Sequence, residues 1–305
     1  MKIFYSFICI FFLLVSCRQD NKSTGEKEDS VVNVPATKVE SPVPFYKAIL
    51  KKLDTTEVGS VTVAAEKFSE LFAKADTAQA DSGFIAFSSF YDKIGSNVNE
   101  QHVKDSANYM AYVPGFSSQH AKKTAATDER VKQLKANGFT IDISEGSTYI
   151  RQDRNFLAKY FYPLVSPVMK EYLVQLNKEN EEGFLEDAGL VITPVELSNR
   201  LILWEKFLTK NPTFPFADDI KQQQRGYLTF LLEGIDNSPL MEHGTSEIRK
   251  IYVDAYNNII QNHPQSATAG LIRPYYEALK QKDSKKAQSL LQQYKKQGLI
   301  YDYSA

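Results

Sequence analysis

Apolar residues along most of the chain recur every three or four positions, which is the spacing of one face of an α-helix. The spacing runs through Val165, Val168, Met169, Tyr172, Leu173 and Leu176. It recurs at Ile248, Ile251, Tyr252, Ala255, Tyr256 and Ile259, and a third apolar stripe consists of Leu197, Leu201, Trp204 and Leu208. The sequence therefore predicts an all-α fold, either a multi-helix bundle or an irregular helical array.

Capping residues and glycines indicate where several of these helices begin and end. Ser166-Pro167 and Thr193-Pro194 each place a capping side chain before a first-turn proline, and Glu196 completes a capping box with Thr193. Asn137-Gly138 and Gly234 are typical of helix ends. The pattern predicts helices at about 45–53, 60–75, 79–94, 98–111, 127–137, 153–163, 167–180, 194–210, 217–233, 246–262, 267–281 and 285–297.

Strand signals are scarce along the chain. Residues 139–143 alternate between apolar and polar side chains, which is typical of a short β-strand. An isolated strand needs a partner, and 189–192 is the one plausible partner that we identify. The fold prediction therefore leaves open one short two-stranded β patch beside the helices.

The chain begins with an apolar run from Ile3 to Val15, behind a single positive residue, Lys2. This run is shorter than the roughly 20 residues of a membrane-spanning helix, but it fits the apolar core of a secretory signal peptide. It ends in Leu14-Val15-Ser16-Cys17, which resembles the lipobox of bacterial lipoproteins. An ordinary cleaved signal peptide with a chance cysteine is the alternative.

The resemblance implies that residues 1–16 are a lipoprotein signal peptide and that Cys17 carries acyl chains, the first two of them through a thioether. Several acyl chains hold a protein stably on a membrane, whereas a single chain binds only marginally. Arg18, in place of aspartate, implies the outer membrane by the sorting pattern of Gram-negative lipoproteins. Whether the protein faces the periplasm or the exterior stays open.

The composition after Cys17 divides the mature chain into two parts. Residues 17–44 form a lipidated tether, which we expect to be disordered because it has no aromatic residue and is rich in charge and proline. Residues 45–305 form the helical globular domain. A subdomain boundary near 113–127 is an open alternative, since that stretch is rich in Gly, Ser, Thr and Lys.

The overall composition argues against several classes of function. Hydrophobic residues make up 43% of the chain and aromatic residues 12%, which is enough for a substantial core. The net charge of −1 argues against a nucleic-acid partner, because such proteins carry a basic surface. The four histidines are not paired at metal-ligand spacing, and we find no catalytic or phosphate-binding motif. We therefore expect no metal site and no cofactor other than the lipid on Cys17.

The most concentrated polar stretch covers residues 144–154, between the predicted strand and a helix. Its Glu145 and Asp153 are candidates for a catalytic acid and base, and Arg151 and Arg154 are candidates for binding an anion. The alternative, which we favour, is a surface loop in which Asp153 caps the next helix and the arginines pair with surface acids.

Two further sets of residues are candidates for a binding site. Glu233 and Asp236 lie in a turn-like segment at 232–239, where turn chemistry alone explains the residue types. Tyr149, Tyr160 and Tyr162 could line a groove for sugars or peptides, because tyrosine presents an apolar ring with a polar tip. Aromatic residues at helical spacing more often belong to the core.

These observations together predict a non-catalytic lipoprotein of the cell envelope. Its helical domain would bind a protein partner or a small ligand near the outer membrane, and the acyl anchor would supply the membrane contact. One alternative is an envelope hydrolase that uses carboxylate acid/base chemistry, with Glu145 and Asp153 as its candidates. A third interpretation is an accessory subunit of an uptake or assembly system.

Overall fold

A computed structural model of the chain describes residues 41–105, 107, 109–113 and 122–303. Residues from Ser41 onward cluster as one compact unit. The lipobox, Cys17 and most of the predicted tether lie outside the described residues. So do residues 114–121, on which the proposed subdomain boundary partly falls.

The described part of the chain contains eleven α-helices, which confirms the all-α prediction. In chain order they are α1 (Pro42–Lys52), α2 (Gly59–Phe72), α3 (Thr77–Lys104), α4 (Ala125–Ala136), α5 (Arg154–Tyr160), α6 (Pro167–Glu182), α7 (Pro194–Lys210), α8 (Ala217–Glu233), α9 (Lys250–Asn262), α10 (Ala267–Lys280) and α11 (Ser284–Lys296). A single 3₁₀ turn covers Met110–Tyr112. None of the helices in the described ranges combines the length and the apolar character needed to cross a membrane.

Three β-hairpins are inserted between these helices. Their strands are β1 (Phe139–Ser144), β2 (Ser147–Gln152), β3 (Leu185–Glu186), β4 (Gly189–Leu190), β5 (Gly234–Ile235) and β6 (Ser238–Pro239). Each forms an antiparallel pair with its neighbour in the chain, so the described part has three two-stranded sheets where the sequence suggested one at most. Each hairpin also directly follows a helix, namely α4, α6 or α8.

The predicted helix caps are present in the structure. The Ser166 hydroxyl accepts a hydrogen bond from the backbone N–H of Met169, and Pro167 begins α6. At the start of α7, Thr193 and Glu196 form both bonds of the capping box. These bonds hold the pKa of the Glu196 carboxyl below its usual value, chiefly because the backbone N–H of Thr193 donates to it.

Two helix predictions differ from the structure. The predicted helices 79–94 and 98–111 are one helix of 28 residues, α3, because its buried face continues through Ile94 and Val98 without a break. At the other end of the unit, α1 begins at Pro42, inside the segment that we assigned to the tether. Pro42 and Pro44 fit there because the first turn of a helix needs no internal hydrogen-bond donors.

The strand at 139–143 was predicted correctly, but its partner was not. Phe139–Ser144 pairs with Ser147–Gln152 through a turn at Glu145 and Gly146, so most of the polar stretch 144–154 is a strand and not a loop. The expected partner, 189–192, contributes Gly189 and Leu190 to a separate hairpin with β3. A partner three residues away along the chain forms far more readily than one 50 residues away, because less loop entropy is lost.

The β1–β2 hairpin is fixed to α3 by side chains that replace a third strand. The Asn99 amide donates to the Ile150 carbonyl oxygen at 2.6 Å, and its oxygen accepts from the Ile150 N–H at 2.8 Å. His102 Nε2 lies 2.9 Å from the Thr148 carbonyl oxygen. The backbone of β2 is therefore satisfied at its outer edge, and Phe139, Ile141 and Ile150 face the core.

We predict that Gly138→Ala destabilises the protein much more than Gly146→Ala. Both glycines have left-handed φ angles, +83° and +76°, so alanine costs about 1–2 kcal/mol at each position. At Gly138 a Cβ would also lie 2.8 Å from Phe156 Cγ and from the Tyr91 hydroxyl, which adds about 1–3 kcal/mol of overpacking. At Gly146 a Cβ would meet nothing within 4 Å.

Urea unfolding of the two variants and the wild type measures this difference. Equal losses of unfolding free energy for Gly138→Ala and Gly146→Ala would contradict the packing of the α4–β1 junction described above.

Candidate functional site

A cavity of about 820 Å³ lies between the β1–β2 hairpin, α6, α8 and the C-terminal segment. Strand alternation explains which hairpin residues reach it. Because Phe139, Ile141 and Ile150 face the core, the residues between them face the other way, and Asp142, Tyr149 and Arg151 line the cavity. Two of the predicted binding candidates, Tyr149 and Arg151, thus belong to this wall.

Asp142 and Arg151 form a charge pair on the hairpin wall. Arg151 Nε lies 2.9 Å from Asp142 Oδ2, but its N–H is not directed at that oxygen and forms no hydrogen bond. The two side chains are about one-third exposed, so the attraction between their charges is partly screened. Tyr149 lies beside them, and partial burial, together with the Asp142 charge, raises the pKa of its hydroxyl.

The opposite wall carries a buried carboxylate, Glu179 on α6, which is only 5% exposed. Gln175 donates to its Oε1 at 2.6 Å, while Gln223 and Tyr227 donate to its Oε2 at 2.5 and 2.6 Å. Burial and the Glu179 charge raise the pKa of Tyr227, so the phenol stays protonated and keeps donating. Three donors therefore hold this carboxylate in place.

Arg200 on α7 is the buried cation of the same cavity, and its side chain is 5% exposed. It donates to the Gly183 carbonyl oxygen at 2.8 Å and to Glu182 Oε2 at 2.9 Å, across the end of α6. Its Nε has no hydrogen-bond partner among the described residues. Arg200 thus joins α7 to the start of the β3–β4 hairpin, and most of its hydrogen-bonding capacity is used within the protein.

A second cavity of about 310 Å³ adjoins the first, and Arg154, Leu176 and Gln223 line both. Much of its wall is aromatic. The rings belong to Phe84, Phe87, Tyr91, Tyr172 and Phe216. We call this smaller space the aromatic pocket, the larger one the groove, and the place where they meet the junction.

Arg154 occupies the junction, half-buried, as the first residue of α5. Its guanidinium makes no hydrogen bond or ion pair with any residue that the structure describes. Its charge offsets part of the pKa increase that burial causes in Tyr91, Tyr162 and Tyr172. Among the cations that line the groove, Arg154 is therefore the one whose charge is not committed within the described protein.

The C-terminal segment forms the outer wall of the groove. The backbone N–H of Tyr301 donates to the Thr229 hydroxyl at 2.9 Å, and the Arg225 guanidinium lies 4.3 Å from the centre of the Tyr301 ring. Tyr303 stacks against Phe230 at 6.3 Å and is 67% exposed. The groove therefore has an aromatic rim as well as charged walls.

The two predicted acid/base candidates do not reach the groove. Glu145 is exposed in the β1–β2 turn, and Asp153 accepts a hydrogen bond from the Asn155 N–H at 3.0 Å as the N-cap of α5. The backbone N–H of Asp153 also donates to the Gly138 carbonyl oxygen at 2.6 Å, which closes the base of the hairpin. Asp153 is therefore a helix cap, the role that the surface-loop alternative in the sequence analysis gave it.

The remaining candidates also lie outside both cavities. Tyr160 packs against Phe156 at 4.8 Å and accepts a hydrogen bond from Lys159, while Tyr162 has a buried hydroxyl without a partner among the described residues. Glu233 forms an ion pair with Lys295 at 2.8 Å, and Asp236 is exposed in the β5–β6 turn. The structure therefore brings Tyr149, Arg151 and Arg154 to one site, without Glu233 or Asp236.

Sequence reasoning missed Glu179 and Arg200, although the chain carried a signal for both. Glu179 follows Met169, Tyr172 and Leu176 on the apolar face of α6, so the stripe itself placed a carboxylate on a buried face. Arg200 precedes Leu201 in the apolar stripe of α7. A charged residue on a buried helix face has to find partners, and this makes it a candidate site residue.

No group of three or more His, Cys, Asp or Glu side chains suited to a metal ion occurs in the ranges that the structure covers. No family model, curated protein or solved structure matches this chain. The function of this chain therefore has to be inferred from the site itself.

Proposed function

We propose that this protein is a lipid-anchored binding protein of the cell envelope, whose helical domain holds a small organic anion without changing it chemically. The ligand's anionic group meets Arg154 at the junction, and an apolar or ring-shaped part fills the aromatic pocket. The observation that carries this proposal is the uncommitted guanidinium of Arg154 between two adjoining cavities.

The energetics of charge burial support an anion at this place. A partly buried charge without a partner loses hydration and gains no ion pair or hydrogen bond in return. A carboxylate or phosphate bound there would form a charge-assisted and potentially bidentate contact with the guanidinium. The volumes of the two cavities, about 310 and 820 Å³, lie within the usual range for small-molecule sites.

The state of the buried and half-buried carboxylates in the groove favours binding over hydrolysis. A carboxylate hydrolase needs a carboxyl group that is free to give or take a proton at the scissile bond. Of the acids that line the groove, Glu179 is held by three donors, Asp142 lies against Arg151, and Glu186 is exposed to solvent. The acids proposed for catalysis from the sequence, Glu145 and Asp153, line neither cavity.

The location in this proposal rests on the lipobox resemblance at Leu14-Val15-Ser16-Cys17. Acyl chains on Cys17 would hold the protein at the membrane, and Arg18 favours the outer membrane. The residues from 18 to 40, ahead of the cap of α1, would reach roughly 26 Å if they behave as a flexible coil. The domain would then lie within roughly this distance of the bilayer.

Phenylpropanoate, which combines a ring with a carboxylate, tests the proposed site. We expect it to bind the purified full-length protein with a Kd below about 1 mM, which corresponds to roughly 4 kcal/mol. Arg154→Gln should weaken this binding at least about tenfold, since a hydrogen bond to a charged group contributes about 1.5–3 kcal/mol. Isothermal titration calorimetry measures both affinities.

Arg249→Gln is the matched control, because Arg249 is also half-buried but lines neither cavity. This variant should bind phenylpropanoate as the wild type does. Equal affinity of the Arg154→Gln variant and the wild type, or no binding by the wild type, would contradict the proposed function.

The proposed anchor is tested separately by Cys17→Ser. We expect this variant to lose incorporation of labelled palmitate and to leave the membrane fraction, because serine cannot form the thioether. Metabolic labelling and fractionation of cells that express each form measure the two effects. A Cys17→Ser protein that is processed and stays with the membrane as an integral protein would show that the lipoprotein interpretation is wrong.

A further inference from the structure

We propose that the natural ligand is the carboxy-terminal segment of a peptide whose last side chain is apolar or aromatic. Its terminal carboxylate binds Arg154 at the junction, the last side chain enters the aromatic pocket, and the preceding residues lie along the groove. This inference rests on the proposed function and names the chemical class of the ligand.

The position of Arg154 relative to the two cavities points to an α-carboxylate. In a C-terminal residue the carboxylate and the side chain leave the same Cα atom, so they diverge by only a few ångströms. Arg154 lines both cavities, so a carboxylate at its guanidinium has the aromatic pocket on one side and the groove on the other. Capture of a terminal carboxylate by a fixed donor group is a known mode of peptide recognition.

The aromatic pocket suits one neutral side chain. Tyr172 and Phe216 stack at 5.2 Å with their ring planes 7° apart, and Phe84 and Phe87 complete an apolar surface. Its volume of about 310 Å³ is at the low end of the range for ligand sites. The exposed acids Asp92 and Asp219 also line the pocket, and their charges oppose a second negative charge on the ligand there.

The groove offers hydrogen-bonding groups suited to the rest of a peptide. The Asn180 side-chain amide lines the groove and makes no hydrogen bond with another described residue. An amide group both donates and accepts, and can pair with the N–H and C=O of an extended backbone. Leu185 and Val191, 39% and 46% exposed, add apolar surface along the same wall.

The charges in the groove favour a peptide over an acidic oligosaccharide. A polymer with a negative charge on each sugar ring needs several free cations along its path. Arg151 lies against Asp142, and Arg200 is bonded to Glu182 and Gly183, which leaves Arg154 as the free cation among the described groove residues. One free cation beside one side-chain pocket matches a single terminal carboxylate.

The experiment compares four probes by calorimetry on the full-length protein: the peptide Ala-Ala-Ala-Phe, the same peptide with a C-terminal amide, free phenylalanine, and an oligogalacturonate. We expect the free-acid peptide to bind at least about tenfold more tightly than the amide and than phenylalanine. Arg154→Gln should abolish the difference between acid and amide, whereas Arg249→Gln should keep it.

Asn180→Leu distinguishes the binding contribution of the peptide residues in the groove from that of the terminal residue at the junction. This substitution should weaken the binding of the tetrapeptide about threefold or more and leave the affinity for phenylpropanoate unchanged, since only the peptide extends along the groove. Three results with the wild type would overturn the inference: equal affinity for the acid and the amide, equal affinity for phenylalanine and the tetrapeptide, or tighter binding of the oligogalacturonate than of the peptide. Two results with the variants would also overturn it. These are a preference for the acid that persists in Arg154→Gln, and an unchanged tetrapeptide affinity in Asn180→Leu.

Failure of this inference can be distinguished from failure of the proposed function. If phenylpropanoate binds in an Arg154-dependent manner and the peptide does not, the site binds organic anions and the peptide assignment is wrong. If neither probe binds, both proposals are wrong.

Discussion

The site depends on one constraint, which is the docking of a two-stranded hairpin against α3. The Asn99 amide contacts both backbone groups of Ile150, so β2 needs no third strand at its outer edge. Because strand residues alternate, fixing Ile150 towards the core turns Tyr149 and Arg151 towards the groove. The hairpin closes at Asp153, whose cap begins α5 and sets Arg154 at the junction.

Within this frame, the buried and half-buried charges that line the groove, other than Arg154, have partners in the protein. Asp142 lies against Arg151, Glu182 binds Arg200, and three donors hold Glu179. Glu186 is exposed to solvent, so Arg154 is the one partly buried charge among the described groove residues that has no partner. Proteins retain such unpaired groups where a bound ligand supplies the missing partner. The same residue then lowers the stability of the free protein and raises its affinity for the ligand.

Local signals in the sequence predicted much of the fold. The apolar stripes and the caps at Ser166 and Thr193 predicted α6 and α7 closely, because both depend on residues a few positions apart.

The hairpin was missed because its second strand was interpreted as a polar loop. Once the pairing of Asp142 with Tyr149 is known, Arg151 is the diagonal neighbour of Asp142, and their contact follows. The Glu179 network could not be predicted, because Gln223 and Tyr227 come from a helix more than 40 residues away. The sequence named Arg151 and Arg154 together but could not show which of them is free, because Arg151 meets Asp142 only through the hairpin pairing that was missed.

The central claim is that Arg154 serves a ligand and not the fold. The most direct measurement is the unfolding free energy of ligand-free Arg154→Met, which keeps an apolar stem but removes the charge. The account predicts that this variant is as stable as the wild type, or more stable, because an uncompensated charge leaves the junction. A loss of more than about 1 kcal/mol, the scale of a typical hydrogen bond, would mean that Arg154 is a structural residue and would contradict the account.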